Sequence, residues 1–346
     1  MIPEIKRARL IDLRRLELYW NQEIQNGRCN DNYFVTVGGE RLKLEEPGED
    51  WGAGTVYQCD EKRTTLTFEK DVDLSRLEDM RVAVSKEICA VNGECADDTK
   101  EYTVDYDPFY KVFTTTKDGI VIKSSEDVDV HVHGKAMEII DILLSKVPEV
   151  AEVLRKHKAE VAIYGIHETA YSVPEHRGGY HVMDRHVEGF GGTVEGPVSS
   201  ISEVNVMRFV RGERATTYKN EMILVHEFAH GLHLIGIDYL EDKQLSNQVK
   251  QTHLAAKNAD KWPNTYAISN HEEYFATLSA IWFNVMEEGK DGAWDGTRGP
   301  VNTREELYRY DREGYELMTR IYPDTKLPAP WDNTPNLYDI EGNKIG

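Results

Sequence analysis

The sequence predicts an α+β protein of two domains, a small β-rich module over residues 1–105 and a larger domain over residues 106–346 in which strands alternate with helices. Three observations carry this. Residues 28 to 105 alternate Thr, Val, Tyr and Phe between glycine turns, as in Tyr33-Phe34-Val35-Thr36-Val37-Gly38-Gly39 and Thr64-Thr65-Leu66-Thr67-Phe68, the period-two signature of strands. From about residue 106, segments of strand period and of helical period follow one another. Within that second region Glu221 to Ile235 is apolar nearly all round, as in a helix inside a domain, and it contains His226-Glu227-Phe228-Ala229-His230.

Taken in order, Met1 to Trp20 reads as an opening helix, with Ile and Leu at helical period among Lys6, Arg7, Arg9, Arg14 and Arg15. These charges leave no uncharged stretch, so it is not a signal peptide. All four cysteines, Cys29, Cys59, Cys89 and Cys95, fall in the first third, and none has a CxxC spacing. An even number in one loop-rich region predicts two disulfides, Cys89 with Cys95 over Asn92-Gly93 and Cys29 with Cys59, hence an oxidising, extracellular compartment; four buried thiols are the alternative.

Beyond residue 106, Val112 to Thr116 and Gly119 to Lys123 read as a hairpin, Lys135 to Lys146 and Pro148 to His157 as helices, and Val161 to Ile166 as a buried strand. His131 and His133 alternate along Val128 to Val132; exposed strand histidines fit this better than a metal pair. Residues 171 to 215 are glycine-rich and irregular, and no Gly-Lys-Ser/Thr follows to make a phosphate loop. Gly236 is placed to cap the Glu221 to Ile235 helix. A polar helix from Tyr239 to Asp260 and a turn at Lys261-Trp262-Pro263 lead to a second apolar helix, Ser269 to Phe283. The Gly/Asp stretch Glu288 to Pro300 fails the calcium-loop pattern. A closing helix spans 303 to 322, and the tail from Pro323 is Pro-rich and extended.

Composition narrows the partners. Lys and Arg number 41 against 61 Asp and Glu, a formal net charge of −20, which offers no basic surface for nucleic acid. No run approaches the roughly 18 apolar residues needed to cross a bilayer, so no membrane span is expected.

The chemistry concentrates in His226-Glu227-Phe228-Ala229-His230. Positions four apart share a helix face, so two imidazoles can point at one metal ion with Glu227 beside it. A catalytic zinc site takes three protein ligands and leaves a fourth position for water, whose proton a nearby carboxylate can accept. A metzincin third ligand is excluded, because His233 and Gly236 stand in interchanged positions, and Asp238 lies just past the expected cap. Glutamates at the start of the second helix are the better candidates. Ser269 with Glu272 and Asn270 with Glu273 both have capping spacing, so residue types alone leave the two open.

The pairing of His226-Glu227-Phe228-Ala229-His230 with Asn270-His271-Glu272-Glu273-Tyr274-Phe275-Ala276 resembles the gluzincin metallopeptidases, in the branch typified by the anthrax lethal factor catalytic domain. Pro108 to Lys111, Asp118 to Ile122, Pro174 to Arg177 and Gly189 to Thr193 look more loosely like secreted relatives of that branch; the resemblance covers about residues 106 to 322. It implies a zincin-like domain whose active-site helix packs antiparallel to a glutamate helix, with Zn2+ held by His226, His230 and Glu273. It further implies Glu227 as general base and Tyr266, seven residues before Glu273, as donor to the oxyanion. In this fold type the glycine-rich segment before the active-site helix is the rim on which an extended peptide pairs. The family carries an acidic residue four after the ligand where this chain has Thr277, so an outer carboxylate orienting a ligand histidine is either missing or supplied elsewhere. The function implied is a zinc-dependent endopeptidase acting on protein or peptide; the alternative is an inactive metallopeptidase fold used as a binding module.

Overall fold

The computed structural model describes residues 1–46, 54–177 and 186–332. The chain is mixed α and β and divides into two compact units, Met1–Lys111 with Tyr171–Asp184, and Val112–Ala170 with Arg185–Gly346.

The first unit is built from β1 (Ile5–Leu10), β2 (Arg15–Trp20), β3 (Ile24–Gln25), β4 (Tyr33–Val37), β5 (Glu40–Arg41), β6 (Thr55–Gln58), β7 (Arg63–Thr67), β8 (Met80–Val84), β9 (Cys89–Ala90), β10 (Glu101–Thr103) and β11 (Asp105–Tyr106). They form sheets in the orders β11-β1-β2-β7-β6 and β10-β8-β4-β5, with β3-β9 as a separate pair. The expected opening helix is therefore a hairpin. Ala8, Leu10, Leu16, Leu18 and Trp20 are buried at period two, while Leu13, which a helix would have buried, is exposed. The Asp12 carboxylate accepts the Arg14 N–H at 2.7 Å, turning the chain between the strands.

Glu17 on β2 is fully buried and is surrounded by cations. The guanidinium of Arg9 lies 2.9 Å away, that of Arg63 3.1 Å away, and Arg177 donates to it as well. Tyr19 adds a hydroxyl donor at 2.8 Å. Arg177 belongs to the segment beginning at Tyr171, which sequence reading assigned to the second domain's rim; it packs in the first unit instead.

Cys89 and Cys95 form a disulfide across Gly93, whose φ of +84° suits glycine. Cys29 and Cys59 do not pair; both are free, exposed thiols on separate loops, so an even cysteine count did not dictate two bridges.

The second unit carries a five-stranded sheet of β12 (Val112–Thr115), β13 (Val121–Ser124), β14 (Glu160–Tyr164), β15 (Gly189–Phe190) and β16 (Val198–Ser202), in the order β12-β13-β14-β16-β15. β13, β14 and β16 run parallel, and the two edge strands are antiparallel to their neighbours. β16 lies inside the stretch read as irregular. Its sequence, Val-Ser-Ser-Ile-Ser, hides a fully buried strand behind serines that work as hydrogen-bonding groups: Ser199 accepts from Gly192 N–H, and Ser202 accepts from Asn205 N–H. Part of that stretch, residues 178–185, lies outside the described residues.

Around the sheet are α1 (Val130–Leu144), α2 (Pro148–Lys156), α3 (Glu203–Val206), α4 (Ile223–Gly231), α5 (Gln244–Asn258), α6 (His271–Trp282), α7 (Arg304–Tyr310) and α8 (Arg312–Ile321). Asp129 caps α1 by accepting from His131 N–H, so His131 and His133 sit in a helix's first turn rather than on a strand. His131 is exposed; His133 is fully buried between the Ser124 and Thr114 hydroxyls at 2.8 and 3.0 Å. After α4 the chain does not stop at a glycine cap. It continues through a π turn, Leu232–Gly236, and a short 3-10 turn, Ile237–Tyr239. Gly236 keeps right-handed φ, and its role is close packing: a Cβ there would come within 2.4 Å of Val150 on α2.

The expected closing helix is broken in two at Asp311. This fully buried carboxylate accepts from Trp262 Nε1 at 2.9 Å, the Tyr274 hydroxyl at 2.6 Å and Lys261 Nζ at 3.0 Å, and it also caps α8. It thus fixes the residue next to Glu273 on α6. Among the described residues no helix is long and apolar enough to cross a membrane. Beyond Asp332 the Pro-rich tail lies outside the described residues.

Candidate metal centre

α4 and α6 pack against each other, and their contact brings three ligand-type side chains together. His226 and His230 are one turn apart on α4, both buried. On α6, Asn270 is the N-cap, its side chain accepting the Glu273 N–H at 2.7 Å. The Ser269 hydroxyl instead donates to the Tyr266 carbonyl, so Ser269 with Glu272 makes no capping box. With Asn270 fixing the first turn, Glu273 is the glutamate beside the imidazoles: its Oε2 stands 3.2 Å from His226 Nε2 and 3.6 Å from His230 Nε2, and the two Nε2 atoms are 3.2 Å apart.

These separations fit a metal ion. A tetrahedral zinc with bonds of about 2.0–2.1 Å sets its donor atoms about 3.3–3.4 Å apart. Two imidazole nitrogens and a carboxylate oxygen converging without a cation would repel one another, and the protein's own remedy is a proton. Burial disfavours a charged His226, yet its hydrogen bond to Glu273 and the nearby carboxylates of Glu227 and Glu221 raise it to about 9. Burial likewise opposes charge on Glu273, but its hydrogen bond with His226 and the nearby His230 hold it down at about 2. A proton on His226 therefore stands where a metal's charge would.

Glu227, between the two histidines in sequence, is partly buried, and burial raises its carboxyl above the usual range against the opposing pull of His226 and His230. That is the direction a general base near neutral pH requires. Tyr266 stands in the short turn Tyr266–Ile268 just before α6, 53% exposed. Its hydroxyl is raised by burial and by the negative charge of nearby Glu273.

Two glycines of the segment expected to form the substrate rim lie against the site. A Cβ on Gly189 would come within 2.7 Å of Glu227 Cγ, and one on Gly191 within 2.4 Å of His230 Cβ. Gly189 on the edge strand β15 and Gly191 just after it therefore pass directly against Glu227 and His230 of α4, at a separation only glycine permits.

His226 Nδ1 is buried without a hydrogen-bond partner, at a cost of about 1–3 kcal/mol for such a group. Thr277, one turn beyond Glu273 on α6, is buried and offers no carboxylate. Asp238 does not join the three ligands; it stands with His233 and His271 in a second group.

No family model matches the chain, and no curated protein matches it. Among solved structures, the S-layer protein SbsC is similar at 12% identity over 34% of this chain and 16% of that chain, with a TM-score of 0.27. The N-terminal part of SbsC is similar at 13% identity over 37% of this chain and 28% of that chain, with a TM-score of 0.26. The PRO-PRO endopeptidase PPEP-2 from Paenibacillus alvei is similar at 14% identity over 57% of this chain and 94% of that chain, with a TM-score of 0.26. The chain thus spans about a sixth of the first S-layer chain it matches. Superpositions at this level do not carry a fold or a function, and the weight falls on the geometry of the residues themselves.

Proposed function

We propose that the chain is a zinc-dependent endopeptidase with a zincin-like second unit, in the gluzincin class and the lethal factor-like branch that its motifs resemble. The observation that carries this is the convergence of His226 Nε2, His230 Nε2 and Glu273 Oε2 at tetrahedral spacing, with Glu227 alongside. A zinc ion held there supplies Lewis acidity, which polarises the scissile carbonyl and acidifies the attacking water. Glu227 takes the proton of that water and passes it to the leaving nitrogen. Tyr266 donates from its hydroxyl to the carbonyl oxygen as negative charge develops there. The glycine strand β15, last in its sheet among the described residues, offers an edge for an extended peptide. The Cys89–Cys95 disulfide supports an extracellular setting.

A second reading, a metal-bearing fold that binds protein without cleaving it, is favoured by two observations: His226 Nδ1 lacks an orienting partner, and Thr277 stands where an acid would supply one. A peptide-library digest at neutral pH, with and without chelator, separates the two. The endopeptidase reading expects internal cleavage that chelator stops and zinc restores. Intact peptides in the presence of zinc-loaded protein would leave the binding module.

A further inference from the structure

Beyond the three residues of the first centre, α4 and α6 bring a second set together. His233 lies in the π turn that follows α4, Asp238 in the short 3-10 turn after it, and His271 is the first residue of α6. One ligand atom from each lies within 4.8 Å of the others. His233 is 0% exposed, and neither of its ring nitrogens has a hydrogen-bond partner. Its Nε2 points toward Asp238 Oδ1 at 3.7 Å, too far for a hydrogen bond and short enough for one ion to bridge both. The His271 ring stands edge-on at a centroid distance of 5.4 Å. Asp238 is itself held in place: the Ser246 hydroxyl donates to Oδ1 at 2.5 Å, and Lys250 Nζ stands 3.7 Å from Oδ2. A carboxylate has about four lone-pair positions, so these contacts leave room for a metal bond and act as its orienting shell.

A fully buried imidazole with two idle nitrogens is rare in proteins, because buried polar groups are almost always partnered. π turns inside helices also gather at functional sites. We propose that His233, Asp238 and His271 form a second metal site, which takes a divalent transition ion of borderline softness such as zinc through two imidazoles and one carboxylate. The ion clamps the turn that ends the His226/His230 helix to the first turn of the Glu273 helix. Its three protein ligands leave the fourth position to water, its part is to fix the spacing of the first centre, and it stands whether or not the protein cleaves peptides.

The test is metal stoichiometry on the full chain, stripped with chelator, reloaded with excess zinc chloride, desalted and measured by plasma mass spectrometry. Wild type is expected to retain two equivalents, Asp238→Asn and His271→Gln one each, and His226→Ala also one. The His226→Ala arm reports the first centre separately, so failure of one site is not mistaken for failure of the other. Replacing zinc by cobalt(II) gives a second readout: a visible ligand-field band should remain in His226→Ala and vanish when His271→Gln is added. Circular dichroism verifies that each variant is folded, and His271, being only partly buried, is the safer substitution. A single equivalent in wild type that His226→Ala abolishes, or two equivalents persisting in both Asp238→Asn and His271→Gln, would overturn the proposal.

Discussion

Two of the polar clusters buried in this protein are built on opposite plans. In the first unit Glu17 is fully buried, with Arg9, Arg63 and Arg177 gathered on it and a tyrosine hydroxyl added, so its negative charge is more than balanced by the chain itself. In the second unit His226, His230 and Glu273 present lone pairs to one another, and nothing permanent supplies the positive charge at their centre. A closed cluster of this sort holds a fold together. An open one is arranged for something the chain does not contain.

Breaking the closed cluster should have the largest effect on stability. Glu17→Ala takes the shared carboxylate from two buried guanidiniums, Arg63 and Arg177, and from half-buried Arg9, and is expected to destabilise the first unit by about 3–5 kcal/mol, read by urea unfolding. The matching substitution in the open cluster, Glu273→Ala, should act on metal instead. Losing one ligand of a site whose four-ligand counterparts bind with roughly 10–16 kcal/mol costs about 3–4 kcal/mol of affinity, two to three orders of magnitude in Kd by competition with a chelator. If Glu273→Ala unfolds the metal-free protein as severely as Glu17→Ala does, the contrast between the clusters is wrong.

Two smaller effects sharpen the contrast. Thr277 and Glu273 share a face of α6, so Thr277→Asp should give His226 Nδ1 the acceptor it lacks and tighten zinc binding about tenfold. Unchanged affinity in a folded variant would show that the ring is oriented by other means. The last effect concerns pH. His226 is raised above its ordinary 6.5 to about 9, so in metal-free protein its contribution to stability is complete below about pH 6.5 and is lost as pH rises through 9. Glu273 is depressed to about 2, and its contribution is present above the ordinary carboxylate range and lost as pH falls through 2. Chelated protein should therefore melt at a lower temperature at pH 9 than at pH 6, while zinc affinity, which requires the His226 proton to leave, should increase over the same interval. A flat melting profile in chelated protein would remove the proton from its assigned place.

What was legible in the sequence depended on how local the determining physics was. The spacing of His226 and His230 is fixed by the helix repeat alone, and Asn270 before Glu273 is a short-range capping signal. The opening segment shows the opposite. Its apolar residues fit helical and strand periods about equally, and only the turn at Asp12 and the pairing of β2 with β7 decide for strands. His133 was misread because alternating valines imitated a strand, while Asp129 had already started a helix. β16 is hidden in the sequence because its buried serines read as polar loop residues, while Ser199 bonds the backbone of Gly192 and Glu227 and Ser202 that of Asn205. The free Cys29 and Cys59 could not be told from a pair by counting. His233, Asp238 and His271 cannot be grouped from the sequence because they meet only when the π turn folds against α6, across more than thirty positions.

The most direct test of the central assignment is the conservative substitution Glu227→Gln, assayed for zinc content and for cleavage of a library-derived peptide substrate at neutral pH. Three metal ligands with a separate base predict that the variant keeps the zinc complement of wild type while cleavage falls by about two to four orders of magnitude. Cleavage at the wild-type rate, or a wild-type protein that holds no metal at His226, His230 and Glu273, would contradict it.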